Sequence, residues 1–133
     1  MNRFIVLFSI LFLGVACSEA QESKENKSSQ SSTVINEVVD AKKFQEIRTG
    51  SKVVLIDVRT ADEFNEGHIA GALNIDYFSD DFKERINKFN KNVTTLIYCA
   101  SGGRSGKTAK LMKEQGFEIV YDLEGGYRAW PYK

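Results

Sequence analysis

Thr95-Leu96-Ile97-Tyr98-Cys99-Ala100-Ser101-Gly102-Gly103-Arg104-Ser105 is the stretch that decides the reading of this chain. Its first four residues form a continuous apolar run, the pattern of a strand covered on both faces. From Ser105 to Gln115 the pattern becomes helical, with Leu111 and Met112 directed inward and Gly116 suited to stop the helix. Cys99 thus stands where a strand gives way to a helix. Backbone N–H groups converge at such a junction, and with the positive end of the helix dipole they favour an anion there. The same field favours thiolate over thiol and makes the sulfur nucleophilic. Gly102 and Gly103 allow the backbone to curl with its N–H groups facing inward, as in an anion nest.

Outward from this stretch, strand-like and helix-like pieces alternate. Val34-Ile35 opens a short strand, and Asp40 suits the cap of a helix that buries Phe44 and Ile47. Val53-Val54-Leu55-Ile56 is a second continuous apolar run. Thr60 and Glu63 stand at capping-box spacing and start a short helix. Leu73-Asn74-Ile75 is another short strand, and Phe78, Phe82, Ile86 and Phe89 fall on one helical stripe. Ile119-Val120-Tyr121 is the last strand, and Gly125-Gly126 leads into a final short helix carrying Trp130. Trp130 and the Phe stripe are assigned to the core. The alternation specifies an α/β domain over residues 34–133, with a mainly parallel central sheet of about five strands and helices on both faces. Ligands of such sheets bind beyond the carboxyl ends of the strands, where Cys99 lies.

The 133 residues allow one domain plus appendages. The net charge is zero, so nothing points to nucleic acid. With two cysteines and a single histidine, His68, a tetrahedral zinc site is excluded and no metal is expected. No cofactor is called for. His68, between a helix-like segment and the next strand, reads as structural and hydrogen-bonded.

Residues 1–17 read as a targeting segment. Arg3 provides a short positive region, and Phe4 to Val15 is an apolar run of twelve residues, short for a mature membrane span. Leu13-Gly14-Val15-Ala16-Cys17 resembles a bacterial lipoprotein signal, in which the cysteine is lipidated and becomes the new N-terminus. An ordinary cleaved signal and an uncleaved anchor are the alternatives. The resemblance implies export to the bacterial cell envelope and membrane attachment through lipid on Cys17. Residues 18–33 hold no large apolar side chain and read as a flexible polar tether. A lipidated Cys17 leaves Cys99 without a disulfide partner, and a lone exported thiol beside a glycine-rich loop suggests a thiol in use.

Three clusters in order, spread over about one hundred residues from Val34 to Trp130, resemble a single-domain rhodanese, a sulfurtransferase. They are Asp57-Val58-Arg59 with Glu63-Phe64 and Gly67-His68-Ile69-Ala70-Gly71-Ala72-Leu73-Asn74; the Cys99 to Ser105 loop; and Leu123-Glu124-Gly125-Gly126 with Trp130. The resemblance implies a persulfide on Cys99, loaded from a donor such as thiosulfate or another persulfide and discharged to cyanide or a thiol. It places Ala100, Ser101, Gly102, Gly103, Arg104 and Ser105 around the bound sulfur. Arg104 either binds an anionic donor or braces the loop. Arg59 either meets the incoming anion or forms a structural ion pair with loop or helix partners. Ala100 and Ser101 are small and uncharged where some thiosulfate-using relatives carry a basic side chain, which leaves room for a persulfide donor.

Two other readings bear on the loop. A cysteine phosphatase or arsenate reductase needs five residues between Cys and Arg; that count from Cys99 lands on Ser105, and Arg104 follows after four. A disulfide oxidoreductase lacks its Cys-x-x-Cys here. The alternative of a different kind is a non-catalytic rhodanese-like binding module in the cell envelope. Oligomeric state is not legible in the sequence.

Overall fold

The computed structural model describes residues 34–50 and 52–133. The targeting segment, Cys17 and the tether lie outside the described residues. The elements alternate as β1 (Ile35–Val39), α1 (Ala41–Gly50), β2 (Val54–Asp57), α2 (Ala61–Asn65), β3 (Leu73–Asn74), α3 (Phe82–Asn87), β4 (Thr95–Tyr98), α4 (Gly103–Glu114), β5 (Ile119–Leu123) and α5 (Gly126–Ala129).

The five strands form one sheet in the order β1-β5-β4-β2-β3, every neighbouring pair parallel. β4 is central. Leu96 pairs with Leu55 of β2 on one side and with Tyr121 of β5 on the other. The continuous apolar runs of β2 and β4 reflect this position, since alternate residues feed two cores. Ile56, Ile97, Cys99 and Val120 face one layer with Phe82 and Ile86 of α3 and Met112 of α4. Leu55, Leu96, Tyr98 and Leu123 face the other with Phe44 of α1 and Trp130. Each large side chain fully buried in this way contributes about 1.5–3 kcal/mol.

Local signals set the ends of several elements. The Asp40 carboxylate accepts the Lys43 N–H at 2.7 Å and opens α1. Both halves of the Thr60–Glu63 capping box are present. Gly116, at φ +88°, ends α4, and the Phe117 N–H reaches back to the Met112 carbonyl at 3.0 Å.

Three local expectations are corrected. Phe78 is not on the α3 stripe. The Asp76 side chain captures the Phe78 N–H at 2.9 Å and folds residues 76–79 into a turn, leaving Phe78 68% exposed; only Phe82 and Ile86 of the stripe lie within the helix. Trp130 lies just past α5, not on it. Pro131 follows, and the residue before a proline is pushed to extended backbone; Trp130 has ψ 113°. Finally α4 begins at Gly103, two residues before Ser105, so the end of the glycine loop is already its first turn.

Candidate active site

β4 ends at Tyr98, whose carbonyl accepts the Val58 N–H at 2.9 Å, and the chain then curls over its own carboxyl end. Cys99 is 1% exposed and faces the α3 and α4 layer. Its sulfur accepts the Gly102 N–H at 3.1 Å and the Ser105 hydroxyl at 3.5 Å. The N–H groups of Ser101 and Ser105 act on it as well. Burial pushes the thiol up, but these donors together outweigh it and hold Cys99 below the ordinary thiol range.

The curl is built from both sides. On the near side Gly102 adopts φ +101° as the residue before α4, which a side chain would resist. Gly103 needs no such freedom. It is not among the positive-φ glycines, and a Cβ there would meet no atom within 4 Å, so the expectation of a nest requiring both glycines reduces to Gly102. On the far side the first turn of α5 pulls the loop carbonyls away from the sulfur. Tyr127 N–H donates to the Cys99 carbonyl at 2.8 Å and Arg128 N–H to the Ala100 carbonyl at 3.1 Å. The carbonyls are thus occupied behind the loop while its N–H groups converge in front. Gly126, at φ +60°, permits the approach: a Cβ there would stand 2.5 Å from the Cys99 carbonyl oxygen and 2.7 Å from the Ala100 carbonyl carbon.

Arg104 is a brace. Its guanidinium makes two bonds to the Glu63 carboxylate, at 2.7 and 2.8 Å, and lies over the Phe78 ring at 5.6 Å. It is still near enough to Cys99 for a thiolate there to favour its charge. Arg104 holds Glu63 down at about 2, below the usual carboxylate range.

Arg59 is placed differently. It is buried with Asp57 through a close Nη2–Oδ2 contact of 2.6 Å, donates to the Gly67 carbonyl at 2.7 Å, and stacks over the Tyr127 ring at 4.2 Å. Tyr127 and Tyr98, whose ring lies 5.7 Å from the same guanidinium, belong to the α1 side of the sheet, whereas the Cys99 sulfur belongs to the opposite side. Arg59 is thus engaged in an ion pair with Asp57 at the end of β2, and its guanidinium is directed away from the Cys99 sulfur. His68 stacks on Phe64 with ring centres 3.7 Å apart, and its Nδ1 lies 3.0 Å from the Phe64 carbonyl.

Two contributors and one buried neighbour were not legible as such. Glu63 is visible in the sequence as a capping residue, but nothing local announces its second partner 41 positions away. Gly126 is visible as part of a Gly-Gly turn, but not as a wall of the Cys99 loop. Asp122, buried in β5 beneath α4, carries no sequence signal at all. Together the elements set up a buried sulfur met by main-chain donors and one hydroxyl.

A family model described as Rhodanese-like domain matches residues 40–132. Among curated proteins, the chain is 38% identical over 87 residues to the uncharacterized protein YqhL of Bacillus subtilis, covering 65% of this chain and 68% of that one. It is 38% identical over 78 residues to the thiosulfate sulfurtransferase GlpE of Coxiella burnetii, covering 59% and 71%. Among solved structures, it resembles a rhodanese-like domain protein from Staphylococcus aureus with a TM-score of 0.63 and 33% identity, covering 71% and 90%.

Proposed function

The chain belongs to the family of rhodanese-like domains, and on that premise we propose that it is a sulfurtransferase that carries a sulfane sulfur as a persulfide on Cys99. The observation that carries this reading is the Gly102 N–H and Ser105 hydroxyl on a buried Sγ whose thiol is held below its ordinary range. The similarity to a thiosulfate sulfurtransferase supports the same class of reaction.

The Cys99 thiolate attacks the outer sulfur of the donor. With thiosulfate, a new S–S bond forms to Cys99 while the donor's S–S bond breaks, and sulfite leaves with its electron pair. The terminal sulfur of the resulting persulfide is an anion, and main-chain donors already in place receive it without reorganising. A thiol or cyanide then attacks that terminal sulfur, the Cys99 S–S bond breaks, and the thiolate returns. Two half-reactions give ping-pong kinetics. Ala100 and Ser101 bring no cation to the mouth of the site, and Arg104 and Arg59 are each already paired with a carboxylate. This favours a persulfide donor over the thiosulfate dianion.

Intact mass spectrometry of the full chain tests the reading. Incubation with thiosulfate or with a low-molecular-weight persulfide is expected to add the mass of one sulfur atom, and Cys99→Ser is expected to add none. If no donor loads the unmodified chain, the non-catalytic binding module takes the place of the enzyme.

For residues 1–33 the proposal is export by the targeting segment, lipid on Cys17 and a tether that sets the domain off the membrane of the cell envelope. Metabolic labelling with a clickable fatty acid checks it: Cys17→Ser labelled as strongly as the unmodified chain removes the lipid anchor.

A further inference from the structure

Asp122 is the buried charge that the reaction above does not use. It is 3% exposed, and among the described residues its Oδ1 has no hydrogen-bond partner. Its Oδ2 faces the start of α4, where a Cβ on Gly106 would stand 3.8 Å away. β5 sets Asp122 level with Ile97 of β4 on one side and Val38 of β1 on the other, so no ionisable group stands beside it in the sheet. From α4 the Ser105 hydroxyl acts on its carboxyl, and from its own strand so does the Leu123 N–H; no charged side chain among the described residues contributes. Ser105, wholly buried, is the same residue whose hydroxyl reaches the Cys99 sulfur. The titratable group that Asp122 meets through one intervening side chain is therefore Cys99.

Ser105 has one proton to give and three claimants for it. Two are within hydrogen-bond reach, the Cys99 sulfur at 3.5 Å and the Gly102 carbonyl at 3.3 Å; the third, the Asp122 carboxyl, faces the same turn of α4 beside Gly106 without a hydrogen bond to Ser105 in this structure. An ionised carboxylate accepts more strongly than a carbonyl, whereas a protonated carboxyl can itself donate. We propose that Asp122 is a positioning residue for Cys99, working through the single proton of Ser105: a neutral Asp122 turns that proton onto the sulfur, and an ionised one draws it away. This rests on Cys99 as the reacting sulfur. No bond between heavy atoms changes; Asp122 exchanges its proton with solvent and Ser105 rotates. The coupling is reciprocal, so a negative sulfur on Cys99 favours the neutral carboxyl. Burial pushes Asp122 up to about 6, which puts the change within reach of ordinary buffers.

The test reads the sulfur itself and needs no sulfur transfer. The thiolate of the full chain is followed by absorbance at 240 nm against pH, with Cys99→Ser as the blank that subtracts Cys17 and the tyrosines. Asp122→Asn is permanently neutral and can donate its amide to Ser105. It is expected to lower the Cys99 midpoint by about one pH unit, tenfold in the ionisation constant. In the Ser105→Ala background the same substitution is expected to move the midpoint less than half as far. Asp122→Thr, a β-forming residue with a neutral hydroxyl donor, serves if the Asn variant does not fold, and is expected to shift the midpoint in the same direction. A midpoint unchanged or raised by a folded neutral variant overturns the proposal, and so does a shift that persists undiminished without the Ser105 hydroxyl. A chain that takes up no sulfur but shows the shift keeps the proposal and loses the sulfurtransferase; a chain that loads sulfur without the shift does the reverse.

Discussion

The carboxylate of Glu63 closes on the guanidinium of Arg104 through two charge-assisted hydrogen bonds, Nη1 to Oε2 at 2.7 Å and Nη2 to Oε1 at 2.8 Å, across 41 residues of sequence. The same Oε2 accepts the Thr60 N–H at 3.0 Å. One carboxylate thus completes the cap of α2 and ties down the first turn of α4. The loop that holds Cys99 is strung between this tie and the α5 turn behind it. Its donors stay in place because both ends are fixed, which is what a preorganised anion site requires.

Glu63→Gln separates the two jobs. Glutamine still suits a capping box, but it brings no charge to Arg104. The pair is partly exposed, so screening limits the loss to about 1 kcal/mol at neutral pH. The native carboxyl is held at about 2, below its value in the unfolded chain, so its contribution is present above about pH 4.5 and is lost as pH falls toward 2. Urea midpoints of the two proteins are expected to differ at pH 7 and to converge near pH 2. Loading of Cys99 is expected to slow by about tenfold, because a loop freed at one end no longer presents its N–H groups in register.

Gly126→Ala should damage the site from behind. The added Cβ would meet main-chain atoms of residues 99–101 at 2.5 to 2.7 Å, and φ +60° would strain it further. Backbone cannot move aside as a flexible side chain can. A loss of about 2–4 kcal/mol in unfolding free energy is expected, with sulfur loading at Cys99 reduced at least about 100-fold by mass spectrometry. Gly103→Ala is the contrast for stability: its Cβ meets nothing within 4 Å, and unfolding free energy is expected to change by less than about 1 kcal/mol.

What the sequence made legible follows from how far each interaction reaches along the chain. β4, the Cys99 loop and α4 are local: a run of apolar residues, a thiol and a positive-φ glycine are all neighbours, and the pattern located them, although it started α4 two residues too late. The ends of α1 and α2 are local too, because Asp40 and Thr60 cap within one turn. Phe78 misled because helical spacing is also satisfied by a residue one turn too early, and the Asp76 side chain decides otherwise. Arg59 left two readings open. Only the alternation of β2 and β4 across the sheet shows that its guanidinium and the Cys99 sulfur lie on opposite faces. Glu63 and Arg104 meet only because α2 and α4 are brought together in the fold, which no spacing in the sequence encodes.

The Asp57–Arg59 pair carries a prediction about stability and not about chemistry. Both side chains are buried, and the guanidinium also serves the Gly67 carbonyl and two tyrosine rings. Removing one member leaves the other charged and unpaired inside the protein. Asp57→Ala is expected to cost about 3–5 kcal/mol in urea unfolding, more than the Asp57→Ala, Arg59→Met double variant. The absorbance midpoint of the Cys99 thiolate is expected to move little in whichever of these proteins folds, since the pair lies across the sheet from the sulfur. A large shift there would return Arg59 to the site.

Asp122 also makes the fold sensitive to pH in the direction opposite to Glu63. An aspartate in the unfolded chain titrates near ~3.9, whereas Asp122 in the fold keeps its proton up to about 6 because burial penalises the carboxylate. Between those values the native state binds more protons than the unfolded chain. Stability therefore falls as pH rises through that window and levels off above it. The two-unit displacement corresponds to about 2–3 kcal/mol withheld at neutral pH. Asp122→Asn removes the penalty without changing the shape of the side chain. Its urea midpoint is expected to match that of the unmodified chain at about pH 3, below both titrations, and to exceed it at pH 8 by an amount approaching that figure. The Glu63 contribution is common to both proteins and cancels from the difference. Equal midpoints at pH 8 would mean that solvent or a neighbouring dipole already compensates the buried carboxylate.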